Sequence, residues 1–429
     1  MVTKLKTIDL FMLSLMILSL PSIEAPKNIF LVGYLLTRVL IEILNFNQGI
    51  RKWNRWDYIF LIIVASAFLS TLFAGMPGLE EWKGYSVLLT AILTGWALSR
   101  AQYTKENYQG LFKLIIYGAL LTLLYGLYQY LIVNTKSSLQ LHSVGHVNHS
   151  AIYLTMIFGA SFSWFLSEFN LAKNKFKLMQ KKNYPFILGA LSLLFLLSLI
   201  IGQSRAAYGV GIILGLIITY FVSKEKIIKM IGIFSIISIL LLSVAFKSSI
   251  IEKQIANQKA NNVLAHRDKV WNVSIEAARF SPILGIGLSN WHFITLEHLK
   301  KSTEKRGKEF DSEDYAFPGH SHSLYLSALV ERGILGLLVT LLFCAFWIGH
   351  IISSFNWAKK SNQSISLWGG SLSAWIATFG IGFVNTTFHH EHAILACLFL
   401  GLYLSYTNEF LKKNNRNNSF SCQINLNTK

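Results

Sequence analysis

Charge is scarce in this chain. Only 14% of its 429 residues are Asp, Glu, Lys or Arg, against 53% that are hydrophobic, where soluble domains carry roughly one quarter charged. That excludes an ordinary soluble enzyme and points to a polytopic membrane protein. Acidic residues are the scarcer sign, 21 against 39 basic, which leaves a formal net charge of +18. Such a charge suits nucleic acid, but the lysines and arginines fall in short clusters between apolar runs, as they do in cytoplasmic loops. No nucleic-acid partner is expected. Cysteine is nearly missing: Cys344, Cys397 and Cys422 are scattered, two of them inside apolar runs, which gives neither a zinc site nor a disulfide framework. A small-x-small cleavage site is also lacking after the first apolar run, where Pro21-Ser-Ile-Glu-Ala-Pro26 stands. That run is read as a first span and not as a removable signal.

What the chain has instead is about twelve apolar runs at or near the ~20 residues a spanning helix needs. They lie near residues 8–23, 28–44, 57–76, 84–99, 110–133, 150–168, 184–202, 206–223, 227–246, 323–352, 365–384 and 390–410. The expected fold class is all-α, a polytopic membrane protein with about twelve transmembrane helices. With a cytoplasmic N-terminus, the basic clusters at Arg51–Arg55, Arg100 with Lys105, Lys173–Lys182, Lys224 with Lys226, Lys359-Lys360 and Lys412-Lys413 all fall inside, as the positive-inside rule requires. Both ends are then cytoplasmic. The expected organisation is a bundle of about nine helices over residues 1–246, a large external loop with amphipathic helices over 247–322, helices ten to twelve over 323–411 and a basic cytoplasmic tail over 412–429. The seventh and eighth runs are divided only by Gly202-Gln-Ser-Arg205, so the span count rests most heavily on that turn. Within the loop, Arg267, Trp271, Ser274 and Ala278 recur at helical spacing across Val263–Arg279. A helix there would lie along the membrane surface, roof the bundle and end before Pro282-Ile-Leu-Gly-Ile-Gly287.

The long loop ends in Pro318-Gly-His-Ser-His-Ser-Leu-Tyr325, where a hydrophobic helix begins. His320 and His322 at that junction are suited to carrying a proton near neutral pH. The plain reading is a helix start capped by Ser321 or Ser323, with the histidines wetted. Arg205 opens the eighth span and Arg267 lies in the loop helix. Either could be structural, Arg205 by snorkelling and Arg267 by pairing with Asp268 or Glu276. The topology nevertheless puts both arginines and His322 on one face, and forked guanidiniums suit phosphate without any metal.

Other polar clusters have plain readings beside sharper ones. Asp311-Ser-Glu-Asp314 is either a divalent-ion loop or a solvated turn. His389-His-Glu-His392 is read as a polar rim, since only His389 and His392 share a helix face. His142, His146 and His149 either line the acceptor side or form a wetted loop. Arg38 and Glu42, one helical turn apart, are expected to neutralise each other in the second span.

In order along the chain, Ser204-Arg205-Ala, Arg267-x-x-x-Trp271 running into Ser281-Pro-Ile-Leu-Gly-Ile-Gly287, His320-Ser-His-Ser-Leu-Tyr-Leu326 and Glu331-Arg-Gly-Ile-Leu-Gly336 resemble the O-antigen ligase and polymerase superfamily. The resemblance covers the span pattern broadly and is specific over residues 202–338. It departs from the family in having Ser323 after His322, where the family often has asparagine.

The resemblance implies a glycosyltransferase C-like fold and an enzyme of the bacterial inner membrane whose active site faces the periplasm. It implies an undecaprenyl-diphosphate-linked glycan as donor and, in the ligase branch, the lipid A-core of lipopolysaccharide as acceptor, with no cofactor. It also implies that Arg205 and Arg267 bind the diphosphate, that His322 acts on the acceptor hydroxyl, and that His320 and Tyr325 bind substrate. Polymerisation on the same carrier stays open. Glycosylation of periplasmic protein is disfavoured by the short basic tail, and a transporter, with Arg38 and Glu42 lining a path, by the gathering of polar residues at one face.

Overall fold

The computed structural model describes residues 2–47, 52–174 except 79 and 137, 183–224 and 266–426, with isolated positions between 226 and 255, and no strand occurs among them. The helices are α1 (Val2–Ser19), α2 (Glu24–Asn47), α3 (Arg55–Leu72), α4 (Glu81–Ser99), α5 (Lys105–Leu131), α6 (Val147–Asn174), α7 (Tyr184–Ile201), α8 (Arg205–Val222), α9 (Arg267–Ala277), α10 (Leu296–Glu304), α11 (Leu324–Ala358), α12 (Asn362–Trp375) and α13 (His390–Leu426). Each expected span but the ninth falls on one of them; 227–246 lies almost wholly outside the described residues. Eight helices, α2, α3, α5 to α8, α11 and α13, are long and apolar enough to cross a membrane. The shortfall from about twelve lies in α1, α4, α12 and the undescribed ninth run. The narrow division after α7 is real: Gly202 caps α7, Gln203 takes φ 53°, and α8 restarts at Arg205.

The bundle holds two buried ionic networks at the end where α1 and α3 begin and α2 and α4 stop. Arg38 bonds Asp9 and reaches the Tyr103 hydroxyl at 3.2 Å, and that hydroxyl also bonds Asp9. Glu42 accepts from Arg100 Nε at 2.7 Å, while Arg100 Nη1 holds Asp57 at 2.8 Å. The expected Arg38–Glu42 pair is therefore corrected. Each group turns to a neighbouring helix instead, where the desolvated charges find bonded partners. Polar residues are thus not confined to one face. Arg38 is 1% and Asp9 0% exposed, so Arg38→Ala should strand a buried carboxylate and cost roughly 3–5 kcal/mol. Thermal unfolding of the solubilised protein checks this; an unchanged midpoint would show that the pair does not hold α1 to α2.

At the other end, α11 is broken. Gly333 takes φ 64° and ψ −166° in its midst, so the carbonyls before it and the amides after it lose their helical partners. The segment Pro282–Gly287 fills the gap. The amides of Ile286 and Gly287 donate to the carbonyls of Val330 (2.9 Å) and Glu331 (3.0 Å), and those of Ile334 and Leu335 donate to Pro282 (2.8 Å) and Ile283 (3.3 Å). Irregular backbone inside a helical bundle is tolerated where protein satisfies it in this way. Gly75 and Met76, just after α3, donate to Gly285 and Ile286 at 3.0 and 3.2 Å, and buried Asn290 donates to the Met76 carbonyl at 2.8 Å.

α9 packs on this seam with its own small core of Val270, Val273, Ala277, Ile286, Trp291, Leu299 and Val330. Its buried stripe includes Val270, Val273, Ser274 and Ala277, whereas Arg267 and Trp271 are half-buried. Of the stripe expected at helical spacing, Ser274 and Ala278 are buried, while Arg267 and Trp271 lie at its edge.

Candidate functional site

Three chain breaks shape the site, and each uses a non-glycine residue in the left-handed region: Gln203 (φ 53°) before Arg205, His266 (φ 59°) before Arg267, and His322 itself (φ 51°) before α11. Such conformations are uncommon outside glycine and gather where backbone is held for a purpose. Each puts its polar side chain at the mouth of a helix.

The structure brings Arg205, Arg267 and His322 into one electrostatic neighbourhood. Partial burial lowers the pKa of Arg267, and the nearby charge of Arg205 lowers it further. Arginine stays protonated even so, so two positive charges stand near each other. Burial likewise lowers the pKa of His322 from its usual value; the charge of Arg267, with a smaller effect from His146, adds to this, and a hydrogen bond with the Asn385 side chain opposes it. The Nδ1 of His322 is buried without a hydrogen-bond partner among the described residues. The lowered pKa keeps the imidazole neutral, the form that general-base work requires.

His320 stands beside it, ring centroids 4.2 Å apart. Burial, then the neighbouring His322, His146 and His390, pushes its pKa down to about 4. His320 also lines a cavity of about 380 Å³ whose wall includes His149, Trp291, Thr386, His389 and His390. Arg205 and Arg267 are not among the cavity's lining residues, which include Lys83, Arg332, Glu80 and Glu331 beside the histidines. The histidine rim is real: the His149 ring lies 4.7, 5.6 and 5.2 Å from those of His389, His390 and His392. His142 is apart from it, its ring against the Ser22 carbonyl at 2.8 Å, and Glu391 turns away to a buried pair with Lys27. No group of three His, Cys, Asp or Glu among the described residues is arranged to hold a metal ion. Asp311–Asp314 is an exposed turn in which Asp311 caps the Glu313 amide at 2.9 Å.

The remaining expected residues are structural in their contacts. Ser323 is the N-cap of α11, its side chain accepting from the Leu326 amide at 3.4 Å, and buried Ser321 accepts the Ser323 amide and bonds Ser327. The Tyr325 hydroxyl donates to the Phe379 carbonyl at 3.0 Å, in the π-turn Ile376–Gly380 that follows α12. Arg267 does not take Glu276, which Arg306 holds at 2.5 Å. Asn385 was not legible as a site residue: it is 3% exposed, far along the chain from His322, in an Asn-Thr-Thr stretch whose only sequence signal is polarity after an apolar run.

These positions coincide with a known family. Residues 190–341 match the family model described as O-antigen ligase. Over that segment the chain is similar to the O-antigen ligase superfamily. The matched segment carries Arg205, Arg267, His320, His322, Tyr325 and the glycine seam, while Asn385 and the rim histidines lie outside it. No curated protein matches the chain. With the membrane-crossing helices, this similarity supports a multi-pass membrane protein of the ligase or polymerase type.

Proposed function

We propose that the chain is an O-antigen ligase of the bacterial inner membrane, moving glycan from undecaprenyl diphosphate to the lipid A-core at the periplasmic face without a metal. The observation that carries this reading is the closeness of Arg205 and Arg267 to each other and of Arg267 to His322. The acceptor hydroxyl attacks the anomeric carbon of the donor. A carbon–oxygen bond forms as the bond to the diphosphate breaks, and the electron pair leaves on the phosphate oxygen. His322 takes the hydroxyl proton. The arginines stabilise the charge that grows on the leaving oxygen, which helps the transition state more than the ground state. Polymerisation of repeat units would use the same donor chemistry, and gene deletion separates the two: full-length glycan left on the carrier supports the ligase, single unjoined repeats the polymerase.

Three expected results test the base. His322→Ala should lower transfer by roughly 10²- to 10⁴-fold; transfer at the wild-type rate would remove His322 from the reaction. Since its pKa is lowered, the neutral form persists below the usual value of about 6.5, and wild-type rate should hold through that pH and decline only beneath it. Asn385→Ala removes the bond that raises the pKa, so the acid limb should move lower still while the plateau rate falls by up to about tenfold. A pH–rate profile unmoved in Asn385→Ala would show that the amide does not act through His322.

A further inference from the structure

A second, larger cavity opens at the end of the bundle opposite His322, where α6, α8 and α11 stop and α12 begins. It measures about 440 Å³ and is lined by Asn170, Tyr220–Lys224, Lys229, Phe355, Lys359, Asn362 and Ile365, within the ~300–1,000 Å³ usual for ligand sites. Its lining divides into two chemistries. Among the described residues, Lys224, Lys229 and Lys359 are its charged groups and no carboxylate lines it; Tyr220, Phe221, Phe355 and Ile365 form the apolar part.

The frame is tied before any ligand arrives. Asn170 donates from Nδ2 to the Val222 carbonyl at 3.1 Å and accepts the Lys224 amide at 3.4 Å, and Asn362 donates to the Ser167 carbonyl at 2.8 Å. Two of the lysines hold their ammonium groups over aromatic rings, Lys359 Nζ 4.0 Å from the Phe355 centroid and Lys229 Nζ 4.9 Å from that of Tyr220, so the aromatic wall positions the charge.

We infer that this cavity binds a phosphate-bearing anion, and that the anion is the headgroup of an acidic glycerophospholipid. Three ammonium groups, with no carboxylate among the described lining residues, select negative charge. An apolar wall at the ends of membrane-crossing helices accommodates the glycerol and the first acyl carbons, which free phosphate would leave unfilled. Basic pockets between spanning helices recognise such headgroups. This site is remote from the one assigned to glycan transfer and does not depend on that reading.

The test is lipid retention by the full-length protein, read by native mass spectrometry after exposure to mixed vesicles of phosphatidylglycerol and phosphatidylcholine. Wild type should retain phosphatidylglycerol at least about tenfold over phosphatidylcholine, and K224Q/K229Q/K359Q should lose most of that preference. A K226Q/K360Q variant removes neighbouring lysines outside the lining and should keep it. Equal retention of both lipids by wild type, undiminished preference in the triple variant, or equal loss in both variants would overturn the site. Displacement of the lipid by millimolar inorganic phosphate alone would overturn the headgroup and leave free phosphate as the occupant.

Discussion

Arg267→Ala is expected to lower glycan transfer by about 10²- to 10³-fold, the loss typical when one preorganised charge is withdrawn from a developing anion. Arg205→Ala should do much the same, and the double variant should lose less than the product of the two, because both act on one diphosphate. Arg267→Lys should recover little, since a compact ammonium cannot reproduce the forked contact. The same variants carry an internal control. Removing Arg267 takes away a positive charge that depresses His322, so the acid limb of the residual pH–rate profile should rise towards the ordinary imidazole value. The measurement is transfer from purified lipid-linked glycan by the reconstituted enzyme. Residual rates within a few-fold of wild type would end the diphosphate assignment, and a profile that does not move would place Arg267 away from the histidine.

Gly333→Ala is expected to cost more than any other single methyl addition in the described chain. The position has φ +64°, and a Cβ there would lie 2.2 Å from the Ile283 carbonyl oxygen and 2.6 Å from the Leu284 amide nitrogen. Left-handed strain alone costs of order 1–3 kcal/mol, and the clash is with backbone that four hydrogen bonds hold in place. Gly285→Ala meets the same obstacle from the other side, at 2.3 Å from the Glu331 carbonyl carbon with φ +79°. By contrast, Gly349 lies in the second part of α11 with nothing within 4 Å of a built Cβ, so Gly349→Ala should be neutral or raise stability by about 0.5–1 kcal/mol. Thermal unfolding of the three variants in one detergent decides the matter: equal midpoints would mean that the seam is not part of the stable fold.

The helices were legible because apolar run length is a direct reading of bilayer thickness, and the turn after α7 because Gly-Gln-Ser cannot continue a helix easily. Helix partners were not. Arg38 and Glu42 are neighbours in sequence, yet buried charge is satisfied by whichever helix packs alongside, and Asp9, Tyr103 and Arg100 come from elements whose adjacency no periodicity discloses. The convergence of Arg205, Arg267 and His322 followed from topology, since residues at helix mouths on one face can meet without any helical register. Asn385 stayed hidden because a single amide in a loop has no pattern. The glycines of Pro282–Gly287 and Gly333 read as turn and helix residues, and their mutual engagement is a three-dimensional fact.

The threaded break in α11 sets how His322 is held. Four main-chain bonds clamp the first turns of that helix to the Pro282–Gly287 segment, and the same segment lies against α9, which carries Arg267. His322 and Arg267 are therefore mounted on one peptide joint. A movement that lifts one of them to admit a bulky lipid-linked sugar would carry the other with it, preserving their spacing while the mouth of the site opens around them.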